Sequence, residues 1–260
     1  MLKGKSAIVT GSTSGIGLGI AEALAAEGVN ILFNGFGDKA AIDMLVADTA
    51  KKFSVKTVYS AADMSKPADI RGMVKLAEDT FGAVDILVNN AGIQFTALVE
   101  DFPEDKWDAI IAINMSSAFH ASKAALPGMK KRKWGRIINI ASAHGLVASA
   151  NKSAYVTAKH GVVGLTKVIA LEAAEDGVTA NAICPGWVFT PLVDKQAKDR
   201  AAKEGKTEDA IKREMLEEKM PTMKFTTAEQ IGGLTVFLCS PSADNITGTA
   251  QSIDGGWTAE

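Results

Sequence analysis

Seven short apolar runs, separated by longer stretches, set the pattern of this chain. They are Ala7 to Thr10, Val29 to Asn34, Val55 to Ser60, Val84 to Asn89, Arg136 to Ala141, Thr179 to Cys184 and Gln251 to Asp254. Several are apolar at nearly every position rather than at alternate ones. A strand reads that way when both of its faces are covered, as in a parallel sheet. Helix candidates lie between the runs: Gly17 to Glu27, Pro67 to Phe81, Asp105 to Lys130 with a break expected near Pro127, Ala154 to Glu175, and Thr227 to Cys239. Alternating strands and helices predict an α/β fold, a single Rossmann-type doubly wound domain with right-handed crossovers. No repeat or low-complexity linker divides the 260 residues, so one domain over 1–260 is expected.

One stretch departs from the alternation. From Asp194 to Met223 the sequence turns strongly charged and reads as one or two exposed helices with Gly205 between them. It follows a strand end and the turn Pro185-Gly186. Ligands of open α/β sheets bind outside the carboxyl ends of the strands. A helical lid over about residues 190–223 is therefore expected, an ordinary surface pair being the plainer alternative.

Charge and composition remove several classes of function. The net charge of −2 gives no electrostatic reason to expect nucleic acid as a partner. The run Lys130-Lys131-Arg132-Lys133 reads as a solvated loop. Cys184 and Cys239 belong to no CxxC or Cys/His cluster, so no metal site is expected and both read as small buried hydrophobes. No uncharged apolar run is long enough to span a membrane, and the N-terminal residues lack the pattern of a secretion signal. A reduced, cytoplasmic setting fits these features.

The first apolar run leads into Gly11-Ser12-Thr13-Ser14-Gly15-Ile16-Gly17 and then an apolar helix. Glycines let a backbone turn sharply against a pyrophosphate, and a helix N-terminus offers free N–H groups and a positive dipole end. The spacing Gly-x3-Gly-x-Gly differs from the general dinucleotide fingerprint, but its place between strand and helix suits a dinucleotide. Asn89-Asn90-Ala91-Gly92, at the end of the fourth run, offers amide and small residues to line the adenine and ribose side. Asp63 is placed to meet the adenine amine or simply to cap a turn. The segment Asn34-Gly35-Phe36-Gly37-Asp38 holds no Arg or Lys to neutralise a 2′-phosphate, which favours NAD. Asp38 also reads as the N-cap of a following helix.

Tyr155 and Lys159 stand four apart, on one face of a helix, and Ser142 precedes them at the end of a buried strand. Oxidising an alcohol requires a base for the hydroxyl proton as hydride leaves carbon. A free tyrosine, with a pKa of about 10, is a poor one. A nearby ammonium favours the phenolate, and a serine hydroxyl can fix the reacting oxygen. This set predicts hydride transfer with Tyr155 as general base.

Taken together, Thr10-Gly11-x3-Gly15-x-Gly17, Asn89-Asn90-Ala91-Gly92, Asn114, Ser142, Tyr155-x3-Lys159 and Pro185-Gly186 resemble the short-chain dehydrogenase/reductase family across essentially the whole chain. The resemblance implies a seven-stranded parallel sheet with helices on both faces and a homotetramer. It implies a catalytic set of Asn114, Ser142, Tyr155 and Lys159, with Asn114 holding a water that links Lys159 to solvent. It implies cofactor contacts from Gly11, Thr13, Gly15, Ile16, Gly17, Phe36, Asp63, Asn90, Ala91, Gly92, Tyr155, Lys159, Pro185, Gly186, Val188 and Thr190.

Gln94, His144, Lys152 and Gln196 lie next to these motifs and could clamp a small carboxylate, with Trp187 and Trp257 walling the pocket. Gln94-Phe95, Ser142 to Ser149, Lys152-x2-Tyr155, Pro185-Gly186-Trp187-Val188 and Ile253-Asp254-Gly255-Gly256-Trp257 resemble the bacterial D-3-hydroxybutyrate dehydrogenase group of that family. In that group the same four polar residues hold the substrate carboxylate, while Ser142 and Tyr155 meet the reacting hydroxyl. The implied reaction is oxidation of (R)-3-hydroxybutyrate by NAD. Alternatives are an NADPH-dependent reductase of 3-oxoacyl thioesters, a sugar or polyol dehydrogenase, and a non-catalytic NAD-sensing regulator.

Overall fold

The computed structural model describes residues 2–259, so Met1 and Glu260 of the expected domain lie outside it. The chain alternates β1 (Ser6–Val9), α1 (Gly15–Ala26), β2 (Asn30–Asn34), α2 (Lys39–Phe53), β3 (Thr57–Ser60), α3 (Pro67–Phe81) and β4 (Ile86–Asn89). It continues through α4 (Glu104–Ile111), α5 (Ser117–Arg132), β5 (Gly135–Ile140), α6 (Ser153–Ala173) and β6 (Val178–Pro185). The last elements are α7 (Pro191–Glu204), α8 (Glu208–Lys219), α9 (Ala228–Cys239) and β7 (Ala250–Ile253). All seven apolar runs form strands. They build one parallel sheet in the order β3-β2-β1-β4-β5-β6-β7.

The continuous hydrophobicity of the strands has a direct use. In β1, Ala7 and Val9 pack on one face with Ile20, Leu24 and Leu238 of α1 and α9. Ile8, between them, points to the other face, among Met73, Ala121 and Ile169 of α3, α5 and α6. Successive side chains of a strand alternate faces, so a sheet covered on both sides needs apolar residues at every position.

Two readings of the sequence are corrected. The long helical stretch does not break at Pro127, which lies inside α5. Pro127 and Lys123, one turn earlier, are both exposed, so water can satisfy the carbonyl that a proline leaves unbonded. The irregularity lies earlier, in a π-helical turn at Ala112–Ser116. The basic run is not a loop either. Lys130, Lys131 and Arg132 form the last turn of α5, and Lys133 caps it in a left-handed conformation (φ +54°). Cations suit the negative end of a helix dipole, and these also bond outward. Lys130 Nζ donates to the Glu172 carbonyl, Lys133 pairs with Asp176, and Arg132 donates to the Val84 carbonyl at 2.6 Å.

Helices α7 and α8 form a pair outside the main core. Val193, Ala197, Ala201, Ile211 and Met215 make a small apolar cluster against Trp187 and Phe225. Lys212–Asp194 (3.0 Å), Arg200–Glu214 (3.0 Å) and Lys206–Glu214 (2.9 Å) cross-tie the two helices. Each pair is partly exposed and worth little alone; together with the apolar cluster they make one unit. Among the described residues, no helix is long and apolar enough to cross a membrane. No group of three or more His, Cys, Asp or Glu there could hold a metal ion.

Candidate active site

The order of strands reverses between β1 and β4, and loops leaving the two diverge there, opening a crevice at the carboxyl edge. A cavity of about 480 Å³ fills it, lined by the loops after β1, β2, β3, β4, β5 and β6.

The glycine loop forms one wall. Gly11, Thr13, Ser14, Gly15 and Ile16 line the cavity. Gly15 opens α1 at φ +58°, and the Ser14 side chain makes no capping hydrogen bond. The first N–H groups of α1 are therefore available to an anion, with the helix dipole behind them. Gly17 lies behind the wall. A Cβ there would stand 2.3 Å from the Gly11 carbonyl oxygen and 2.5 Å from Asn90 Nδ2. Asn90 Nδ2 donates to the carbonyls of Thr10 (2.8 Å) and Gly11 (3.1 Å). The backbone N–H groups of Asn90 and Ala91 donate to Thr10 Oγ1 at 2.9 and 3.0 Å. Asn90 thus braces the glycine loop, while Ala91 and Gly92 join it on the cavity wall.

At the far end, Phe36 lines the cavity and is 70% exposed. Asp63 also lines it, but its carboxylate is engaged in a turn. It accepts from the Ser65 N–H (2.9 Å) and hydroxyl (2.7 Å) and pairs with Lys66 at 3.4 Å. The Ser65 bonds, aided by Lys66, hold Asp63 below the usual carboxylate range. Asp38 caps α2 by accepting from Ala41 N–H at 2.9 Å. The cations on the cavity wall among the described residues are Lys152 and Lys159, both at the opposite end.

Ser142 stands just past β5, where its hydroxyl accepts from the His144 N–H at 3.2 Å. Helix α6 starts at Ser153 and presents Tyr155 and Lys159 to the cavity one turn apart. Lys159 Nζ donates to the Ile140 carbonyl at 2.7 Å and lies 5.6 Å from the centroid of the Tyr155 ring. Burial lowers the Lys159 ammonium to about 8. The Tyr155 phenol differs from expectation: burial raises its pKa, and a hydrogen bond with Ser142 offsets this only in part. With Nζ directed to the Ile140 carbonyl, desolvation outweighs any pull of the ammonium on the phenol in the protein alone.

Asn114 is buried in the π-turn, off the cavity wall. Its side chain bonds both backbone groups of Ile93. No periodicity in the sequence marks the extra residue of a π-turn.

Gln94, His144, Lys152, Trp187, Gln196 and Trp257 come together at the mouth. The Trp187 and Trp257 rings are 6.2 Å apart, and His144 meets Trp257 edge-on at 5.0 Å. The His144 ring bonds the Ser149 hydroxyl at 3.0 Å through Nε2. Burial, reinforced by the charges of Lys152 and Lys219, lowers His144 to about 4, so the imidazole is neutral at pH 7. Burial and Lys219 also lower Lys152. Lys152 has no carboxylate partner among the described residues.

Nearly the whole chain has recognisable relatives. A family model described as enoyl-(acyl carrier protein) reductase matches residues 11–258. The D-beta-hydroxybutyrate dehydrogenase of Cupriavidus necator is 59% identical over 260 residues, covering 100% of both chains. That of Rhizobium meliloti is 55% identical over 256 residues, 98% of this chain and 99% of the other. This chain is a short-chain dehydrogenase/reductase.

The fold agrees with that membership. L-sorbose reductase from Gluconobacter frateurii, solved with NADPH and L-sorbose, superposes with a TM-score of 0.95 at 30% identity, covering 100% of this chain and 98% of that one. As a member of the family the chain is an oxidoreductase that uses a nicotinamide dinucleotide. The glycine cradle and the uncapped start of α1 fit such a group. Ser149 and Lys219, which the sequence reading missed, also belong to the mouth of this dehydrogenase/reductase. Ser149 ends the stretch Ser142 to Ser149, where nothing in the sequence sets its hydroxyl apart. Lys219 reads in the sequence as an ordinary cation in the last turn of a helix.

Proposed function

We propose that this chain oxidises (R)-3-hydroxybutyrate to acetoacetate, reversibly, with NAD. The observation that carries the reading is the mouth itself. Lys152, neutral His144, Gln94 and Gln196 surround a small space walled by two tryptophans, next to Ser142 and Tyr155. A cation without a carboxylate partner, beside three neutral hydrogen-bonding groups, suits a compact anion. The relatives of Cupriavidus necator and Rhizobium meliloti carry the matching activity in their names. The Phe36 end, with no cation on its wall among the described residues, suits NAD over its 2′-phosphorylated form.

When bound, an oxidised nicotinamide dinucleotide would supply the hydride acceptor for the carbinol carbon. Tyr155, as phenolate, takes the hydroxyl proton. Ser142 donates a hydrogen bond to the reacting oxygen and holds it as it becomes a carbonyl. Lys159 holds the ribose and passes the proton onward, with Asn114 ordering the water path. The α7–α8 pair acts as a lid over residues 190–223 that brings Gln196 to the carboxylate and excludes water.

Exposed apolar residues on α5 and α6, among them Phe119, Val168 and Leu171, support a homotetramer. A cytoplasmic location suits the buried free cysteines Cys184 and Cys239. The test is NADH formation with separate enantiomers of 3-hydroxybutyrate, with NADP and the methyl ester in parallel. Turnover of the free (R)-acid with NAD, and little with the ester, supports the reading. Reduction of acetoacetyl thioesters with NADPH, without turnover of the free acid, overturns it.

A further inference from the structure

A second lysine stands at the same mouth. Lys219 Nζ lies 5.5 Å from the Trp257 ring centroid, as Lys152 Nζ lies 5.4 Å from that of Trp187, and the two rings are 6.2 Å apart. Lys219 and Ser149 line a second cavity that adjoins the first and shares Gln94, Lys152, Gln196 and both tryptophans with it. Among the described residues, neither lysine has a carboxylate within ion-pair distance. Glu218, the acid at this mouth, pairs with Arg200 at 3.5 Å.

The backbone around Lys219 is tied to the sheet rather than to the free end of the helical pair. Lys219 ends α8, and the next residue, Met220, is buried. The Thr222 N–H donates to the Gly255 carbonyl at 3.1 Å. The Thr226 hydroxyl donates to the Ile253 carbonyl at 3.0 Å, and its N–H donates to the Trp187 carbonyl at 2.9 Å. Gln196, by contrast, comes from the middle of α7.

We propose that Lys219 is a specificity-determining residue, a second cation pre-placed at the base of the α7–α8 pair that draws the substrate carboxylate to Lys152 before the pair brings Gln196 over it. This deepens the reading of a carboxylate substrate and rests on it. Two like charges a short way apart repel each other, and an anion between them relieves the repulsion. A cation at a pocket mouth also raises the encounter rate in a salt-dependent way.

The test compares Lys219→Met and Lys219→Arg with the unaltered protein, all loaded with NAD. With (R)-3-hydroxybutyrate, Lys219→Met is expected to lower kcat/KM about tenfold through KM, with kcat within twofold and a flatter dependence on ionic strength. Lys219→Arg retains most of the affinity and the salt dependence. An unchanged KM and salt dependence in Lys219→Met overturns the proposal. Acetate titration by tryptophan fluorescence separates it from the reading it rests on. If the unaltered protein turns over no hydroxy acid, yet acetate binds and weakens about tenfold in Lys219→Met, the cation role stands and the substrate falls. Equal acetate affinity in both proteins sinks the cation role itself.

Discussion

The Asn114 side chain closes both backbone groups of Ile93. Its Oδ1 accepts from the Ile93 N–H at 2.8 Å, and its Nδ2 donates to the Ile93 carbonyl at 2.8 Å. Ile93 lies between Gly92 at the cofactor crevice and Gln94 at the substrate mouth. One amide on a π-turn thus positions the segment that joins the two halves of the site.

Asn114→Ala leaves a donor and an acceptor of Ile93 without their partner. Removing one partner of a buried pair costs about 1–3 kcal/mol, so a loss of about 2 kcal/mol in urea unfolding is expected. Activity should fall more than stability alone accounts for, because Gln94 loses its register. Asn114→Asp, which keeps the acceptor and loses the donor, should lie between. Equal stability of Asn114→Ala and the unaltered protein would show that this link holds nothing.

The chain has two tyrosines, Tyr59 and Tyr155, so Tyr59→Phe isolates Tyr155 for ultraviolet difference titration. Burial raises the phenol in the protein alone. Phenolate absorbance should therefore appear only above pH ~10 without cofactor. Binding of the oxidised dinucleotide, with its positive ring, should move the transition to lower pH. Tyr155→Phe should lower kcat by about 10³ while leaving dinucleotide affinity within a few-fold. Phenolate at neutral pH without cofactor would contradict the burial argument.

His144 titrates near 4 in the folded chain, chiefly because it is buried, against about 6.5 in an unfolded one. The unfolded chain therefore binds the proton first as pH falls. The stability linked to His144 is complete above about pH 6.5 and is lost progressively down to its folded pKa. Between pH 7 and pH 5 that loss is on the order of 2 kcal/mol. Urea unfolding at the two pH values should show His144→Gln losing correspondingly less than the unaltered protein. Equal losses would place the imidazole proton elsewhere.

Phe36 is exposed at the end of the crevice where no cation among the described residues lines the wall. Phe36→Arg should be nearly neutral for stability, within about 0.5 kcal/mol. A guanidinium there should lower KM for NADP about tenfold by pairing with the 2′-phosphate. The ratio of kcat/KM for NADP to that for NAD measures this. An unchanged ratio would place the adenosine away from Phe36.

Much of this was legible in the sequence because it rests on local rules. Continuous apolar runs fixed seven strands to within two residues, since each strand is covered on both faces. The glycine spacing between strand and helix marked the cradle, and Tyr155-x3-Lys159 marked one helix face. Asp38 could be read as an N-cap from its position alone. The tertiary structure decided what depends on distant segments meeting. It brought Gln94, Lys152, Gln196 and Lys219, from four separate elements, to one mouth, and it made Lys219 more than a helix-end cation. It placed the helix irregularity at Asn114, where a side chain bonds a loop 21 residues away, rather than at Pro127, whose exposed surroundings let water repair the helix. It also set the protonation of Tyr155, His144 and Lys159. Those pKa values follow from how much water each group loses, and that is fixed only when the two halves of the sheet close over them.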